Sequence, residues 1–334
     1  MTSSRALLAA AVALVCASAS AQASPTKSNG NWKAPRTADG HPDLQGVWTN
    51  ATITPLERPD RFGDRLVLSD AEAREIEGAE AAYNAEADAP SDLSKPAAYT
   101  CRSGSGPTCG YNNFWIDRGS QVVTVNGERR SSLIVDPPNG KIPMKPERQK
   151  QLAERMRVAR QNFDGPEARP LGERCLLAFG SSSGPPMMPV LYNNHYQIVQ
   201  NRDSVVILVE MVHDARIIRL GGAPVPAGVR KWMGDSVGRW EGDTLVVETS
   251  GFTDSEGFRG ATPAMKVTER FTRVAPDQIE YRFTIDDPNA FTQAWSGEIA
   301  WHRTDDDVYE YACHEGNYAL PGILAGARAE ERAR

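Results

Sequence analysis

Residues 192–220 read YNNHYQIVQNRDSVVILVEMVHDARIIRL, and the fold class follows from them. Two apolar-rich runs flank a polar turn, Asn201-Arg202-Asp203, so the pattern predicts two strands joined by a tight connection. The second run is unusually apolar and ends in a polar cluster of His213, Asp214 and Arg216. A buried strand that delivers an imidazole, a carboxylate and a guanidinium within four residues is the best chemical lead in the chain.

Downstream, the β pattern continues. GRWEGDT at 238–244 reads as a turn between strands, followed by a strand over 245–249. Residues 266–274 and 279–286 alternate around a turn at 275–278, and 295–303 and 308–312 complete the set. Short strands at regular spacing indicate an antiparallel barrel or sandwich. The residues at 328–334 are charged and are expected to fray.

Upstream, the pattern changes to helix. Ser69 with Glu72 forms a capping box, which starts a helix over about 69–87 that stops before Pro90. Pro146 suits the first turn of a second helix running to about 163. Asn126-Gly127 is a hairpin turn, because both central residues tolerate positive φ. The expected fold is therefore mainly β, with two N-terminal α-helices on a single domain at 68–334. An extended leader and a first strand near Gly46 occupy 24–67.

The first 23 residues read as a signal peptide. Arg5 supplies the positive start, residues 6–17 are apolar, and small residues at 19–23 offer a cleavage site. The apolar run is shorter than the ~20 residues a spanning helix needs. Val15 before Cys16 does not suit a lipid-modified signal. The chain is expected to be exported, periplasmic or secreted, with no membrane span.

Export gives the cysteines meaning. Of five in the chain, Cys16 leaves with the signal. Cys101 and Cys109 bracket a short flexible loop, and Cys175 and Cys313 would then pair over a long span; free thiols are the alternative. With 334 residues, 40% apolar and 24% charged, composition is that of an ordinary globular protein. A net charge of −6 with no dense basic run argues against a nucleic-acid partner.

Alternation along 266–274 places Glu269 on one face with Val267 and Phe271, toward the core. Burying a carboxylate is costly unless it is paired or protonated. Glu269 is therefore either a general acid or base, or half of an ion pair with Arg216 or another arginine. Val209, Met211 and His213 share a face, so an inward His213 beside Asp214 could serve as a base; a core histidine bonded to a carbonyl is the bland alternative. Arg216 falls on the other face unless the strand's phase resets, and could clamp an oxyanion or pair with Asp214 or Glu210.

YACHEGNY at 311–318 is the densest polar-aromatic cluster. If Cys313 is bridged, His314, Glu315 and Asn317 stand at a fixed place after the last strand; a buried cap is the alternative. Asn193, Asn194 and Tyr196 could line a pocket mouth. Trp240 sits in turn chemistry with Glu241 and Asp243, and is kept as a substrate contact.

Several signatures are absent. There is no HExxH and no zinc-ribbon cysteine spacing, so no metal is expected. No G-x-G-x-x-G opens a helix after a strand, so no nicotinamide site or other organic cofactor is expected. The serine loop at 180–184 lacks the nucleophile-elbow register.

The blocks DGHPDLQGVWTN, GPEARPLGERC, YNNHYQIVQ, HDARIIRL, GRWEGDTLVV, ERFTRV and YACHEGNY resemble a group of exported bacterial hypothetical proteins, from about residue 36 to the end. That resemblance implies export and no particular activity. The strand-rich half is also similar in pattern to calycin and lipocalin-like barrels, which hold small apolar ligands.

The leading expectation is an exported enzyme without an organic cofactor, acting on a small, partly apolar molecule by general acid–base chemistry as a lyase, isomerase or hydrolase. His213 would be the base, Glu269 or His314 the acid, and Arg216 or Asn317 the oxyanion donor. One alternative is a calycin-type binding protein without turnover. Another is a carbohydrate-active β-sandwich using Trp115, Trp240, Trp295 and Trp301 as stacking platforms with paired carboxylates.

Overall fold

A computed structural model describes residues 32–88, 116–178, 184–226, 228–254 and 258–333, with the backbone but not the side chain of His213. The signal segment, Cys101, Cys109 and Trp115 lie outside the described residues.

The chain is mainly β. Strand β1 (Gly46–Thr49) is followed by helix α1 (Asp70–Ala87), short strands β2 (Thr124–Val125), β3 (Glu128–Arg129) and β4 (Ile134–Asp136), and helix α2 (Pro146–Gln161). Then come β5 (His195–Gln200), β6 (Ser204–Val209), β7 (Ala215–Leu220), β8 (Asp235–Glu241), β9 (Thr244–Ser250), β10 (Lys266–Ala275), β11 (Gln278–Asp286) and β12 (Trp295–Arg303), with helix α3 (Ala319–Arg332) at the end.

Strands β1 and β5 to β12 pair in sequence, and β12 pairs back onto β1, which closes a barrel and leaves no open edge. Every junction is antiparallel except β7 to β8, which is parallel. The loop 221–234 makes the crossover that a parallel pair requires. Strand β12 is longer than β1, so β1 covers its end at His302 and Arg303 while β4 covers its start at Ser296 and Gly297.

The organising stretch forms three strands, not two. The second apolar run breaks after Val209 at a one-turn 3-10 segment, Met211–His213, in which Val212 takes φ 60°. The chain reverses there, and β7 pairs antiparallel with β6. This reversal resets the facing: Ile207 pairs with Arg216, so Arg216 points inward with Ile207. Residues 308–312 are not a strand. Beyond Arg303 they have no free sheet edge to join, and the chain runs as a strap across the barrel's outside. Through Arg332 the tail is helical in α3, and Arg328 donates to the carbonyl of Phe163 at 2.8 Å.

Helix α1 begins at Ser69, whose hydroxyl accepts from the Glu72 amide while the Glu72 carboxylate accepts from the Ser69 amide. Its inner side joins a small satellite cluster with Phe62, Leu68 and Val122. Helix α2 starts at Pro146 and buries no residue; Arg148 ties it to the carbonyl of Gly260 at 2.7 Å. The turn between β2 and β3 places Asn126 at φ 54° and Gly127 at φ 76°, as a two-residue hairpin requires.

The barrel is filled. Tyr196 stacks on Trp301 at 4.5 Å between ring centres, Tyr281 stands 5.3 Å from Trp301, and Phe271 stands 4.9 Å from Tyr281. Gly297 is required where it is, because a Cβ there would collide with the Phe283 ring. The segment 185–188 inserts as a plug: Met187 is fully buried, its amide donates to the Tyr281 hydroxyl at 3.0 Å, and its carbonyl accepts from Asn50 at 3.3 Å. The barrel expected from the sequence is present, and aromatic rings and the plug occupy its interior. Trp295 and Trp301 are fully buried within it, so neither can serve as a carbohydrate platform.

Candidate functional site

Two polar centres stand out, one inside the barrel wall and one outside it. Inside, Glu269 lies between Val267 and Phe271, all three inward and buried. Arg216 from β7 reaches it with two N–H groups: Nη1 to Oε1 at 2.8 Å, and Nη2 to Oε2. The remaining guanidinium donors go to Ser236 at 3.1 Å and Thr249 at 3.0 Å. The Tyr281 hydroxyl donates to Glu269 at 2.8 Å, and burial followed by the nearby Glu269 charge pushes that phenol well above its ordinary range. Every donor and acceptor faces another protein group, and Glu269 has no exposed surface. This is a buried ion pair that spans from β7 to β10, the structural alternative stated for Glu269 and Arg216 beside their acid–base and oxyanion roles.

Outside, the start of β5 and the end of β6 bring together His195, which sequence reasoning passed over, and Glu210, considered there only as a partner of Arg216. Tyr196 points inward, so its neighbour His195 points outward. His195 Nδ1 stands 2.9 Å from Glu210 Oε2. The Glu210 amide in turn donates to the His195 carbonyl at 3.0 Å, which locks the two residues together. The strap crosses above them. The Tyr309 amide donates to Glu210 Oε1 at 3.2 Å, and Asp306 Oδ2 stands 3.7 Å from His195 Nε2. The bond to Glu210 raises the imidazole above its usual value, against burial. Burial pushes Glu210 up, but the bonds from His195 and Tyr309 outweigh it and hold the carboxyl below its usual range. Asn193, at φ 55°, also bonds the Glu210 side chain.

Asn193 belongs at the same time to a pocket of about 550 Å³. Its floor is the 172–175 segment and its other walls come from the strap and the first turn of α3, including Glu310, Tyr311, Asn317, Leu320 and Ile323. The disulfide between Cys175 and Cys313 forms one side and joins residues 138 positions apart. Asn317 is fixed by donating to the carbonyl of Glu173 at 2.8 Å. Glu173 is held by Arg169 through bonds of 2.9 and 3.0 Å.

The other expected residues fall in several places. His213 sits in the reversal after β6, its side chain outside the described residues, and Asp214 follows it at the entry to β7. His314 and Glu315 are exposed on the strap and do not line the pocket. Glu269 and His314 therefore do not share a cavity. Asn194 is buried and spends its amide on the Val190 amide, the Val190 carbonyl and the Asp117 carbonyl, so it is a clasp and not a substrate contact. Tyr196 is buried in the barrel beside Asn50, which removes it from any pocket mouth. Trp240 stacks on His41 at 5.0 Å, packs against the core at the end of β8 and does not line the pocket. Of the residues expected to bind substrate, Asn193 and Asn317 meet at the pocket.

Among the described residues no group of three His, Cys, Asp or Glu side chains is placed to hold a metal ion. No helix among them is long and apolar enough to cross a membrane. Comparison with protein-family models, with curated proteins and with solved structures finds no match to the chain.

Proposed function

We propose that this protein is an exported enzyme that moves protons on a small, partly apolar molecule bound in the pocket beside Cys175–Cys313, with His195 as the proton-transfer group and Glu210 as its positioning residue. The observation that carries the reading is the His195–Glu210 pair, joined to the pocket by Asn193. Neutral His195 donates its Nδ1–H to Glu210 and presents the Nε2 lone pair outward, the orientation a general base requires. On taking a proton at Nε2 it becomes an imidazolium between Glu210 and Asp306, which stabilise it; returning that proton to another substrate atom completes an elimination, an isomerisation or an assisted hydrolysis. The substrate's apolar end would lie against Tyr311, Leu320 and Ile323, and its reacting end would extend past Asn193 toward Nε2. A long-range disulfide supports action outside the cytoplasm, as does the signal-like N-terminus.

Binding without turnover is the rival, favoured by one fact: His195 itself is not among the residues lining the pocket. A turnover screen over small aromatic and aliphatic esters, lactones, β-hydroxy acids and enones separates the two. The enzyme reading expects one class to be converted by the wild type and not by His195→Gln, with affinity for that class retained in the variant. Affinity without conversion of any bound class would leave a binding protein.

A further inference from the structure

We infer that the pocket beside Cys175–Cys313 selects organic cations: a small amine or quaternary ammonium carrying an aromatic or branched aliphatic group. The inference rests on the pocket reading above and narrows it to a ligand class. Three features of the wall lead to it. Among the described residues no Lys, Arg or His lines the pocket, whereas two carboxylates do, Glu173 and Glu310. Glu173 is neutralised by its two bonds from Arg169. Glu310 is exposed and has no cationic partner among the described residues, so its charge is free to act on a ligand. The rest of the wall is suited to a cation with a greasy end. Leu320 and Ile323 offer half-buried aliphatic surface, with the half-buried Tyr311 in the same lining.

The surroundings bias arrival in the same direction. The strap over 304–318 carries Asp305, Asp306, Asp307, Glu310 and Glu315, with no Lys or Arg. His195 takes part of this charge through Asp306, but Asp305 and Asp307 are exposed. A segment that carries one sign of charge and contributes to a pocket wall concentrates ligands of the other sign and repels those of its own. A carboxylate ligand would meet that field with no guanidinium or ammonium in the wall to receive it.

The test uses the full-length oxidised protein and three probes of matched shape: 2-phenylethylammonium, 2-phenylethanol and 3-phenylpropanoate. Affinity is measured by calorimetry at low and physiological salt, and location by chemical-shift changes at Asn317, Leu320 and Ile323. The expected result is that the ammonium binds about tenfold or more tighter than the alcohol, the carboxylate binds weakest, and salt narrows the gap. Glu310→Gln should lower ammonium affinity about tenfold and leave the alcohol unchanged. Equal or tighter binding of the alcohol or carboxylate at those residues would overturn the charge selection while leaving the pocket as a binding site. If no probe of any charge shifts those residues, the pocket reading falls together with it.

Discussion

The imidazole of His195 and the carboxylate of Glu210 face each other at 2.9 Å across the open ends of β5 and β6, and the amide of Tyr309 closes on the same carboxylate from the strap. This pair, through the Tyr309 amide, joins the barrel wall to the segment that builds the pocket. The titration of a single imidazole bears on both the proposed chemistry and the docking of the strap.

His195 should titrate above its ordinary 6.5, and Glu210→Gln should bring it down, since the Glu210 bond is the largest cause of the rise. Histidine resonances followed by NMR from pH 5 to 9 give both midpoints. A wild-type midpoint at or below the ordinary value would remove the pair as a functional unit. If His195 acts as a base, the conversion rate should rise with pH through this elevated midpoint.

The same shift sets a stability window. A histidine whose folded pKa is raised contributes stability that is fully present below about 6.5 and is lost as pH rises through the folded value. Unfolding by urea should therefore show the wild type losing stability over that interval more than His195→Asn does. Parallel curves for the two proteins would count against a docked, charged His195.

Glu269→Gln should destabilise the barrel by ~3–5 kcal/mol, because it leaves the Arg216 guanidinium buried without its counter-charge. Replacing both residues with apolar ones of similar size should recover much of that loss. Denaturant unfolding of Glu269→Gln and of Arg216→Met with Glu269→Leu measures it; a double variant as unstable as the single one would mean the pair does more than satisfy itself.

Cys175→Ser with Cys313→Ser should cost about 2–4 kcal/mol, given the long segment the bridge closes. The loss should concentrate in the strap. Limited proteolysis is expected to cut within 304–318 in the variant, or after reduction by a dithiol, well before the barrel is attacked. Uniform digestion of both proteins would show that hydrogen bonds alone hold the strap.

Tyr281→Phe removes the acceptor of the Met187 amide and a donor to Glu269, at a cost of ~1–3 kcal/mol. Hydrogen exchange at Met187 should accelerate far more than at neighbouring β11 amides. An unchanged rate there would mean the plug is held by packing, without help from that bond.

Much of this architecture was legible locally. Ser69 and Glu72 announce α1, Asn126-Gly127 announces the β2–β3 hairpin, and alternation places Glu269 inward. The His195–Glu210 pair was also within reach. A turn at 201–203 sets Asn201 beside Ser204, and counting outward from it brings His195 opposite Glu210. The signal lies in register, whereas the polar cluster at the far end of the second run stands out by composition. That cluster misled because nothing local says that the run stops at Val209 and doubles back. Val212 takes a left-handed conformation that a β-branched residue rarely adopts, so only the surrounding barrel holds it there.

Composition, alternation and turn chemistry were enough to establish a mainly β chain with a capped helix and many short strands, because these depend on contacts between near neighbours. Closure of β12 onto β1, the parallel step from β7 to β8 and the filling of the lumen by Met187 and the aromatic rings depend on residues far apart in the chain. So does the pocket, whose walls come from 172–175, Asn193 and the strap. Periodicity assigns a side chain to a face but cannot say which distant segment will cover that face. That is why Glu269 and Arg216 are partners inside the barrel, while on its outside the strap covers the pair His195 and Glu210.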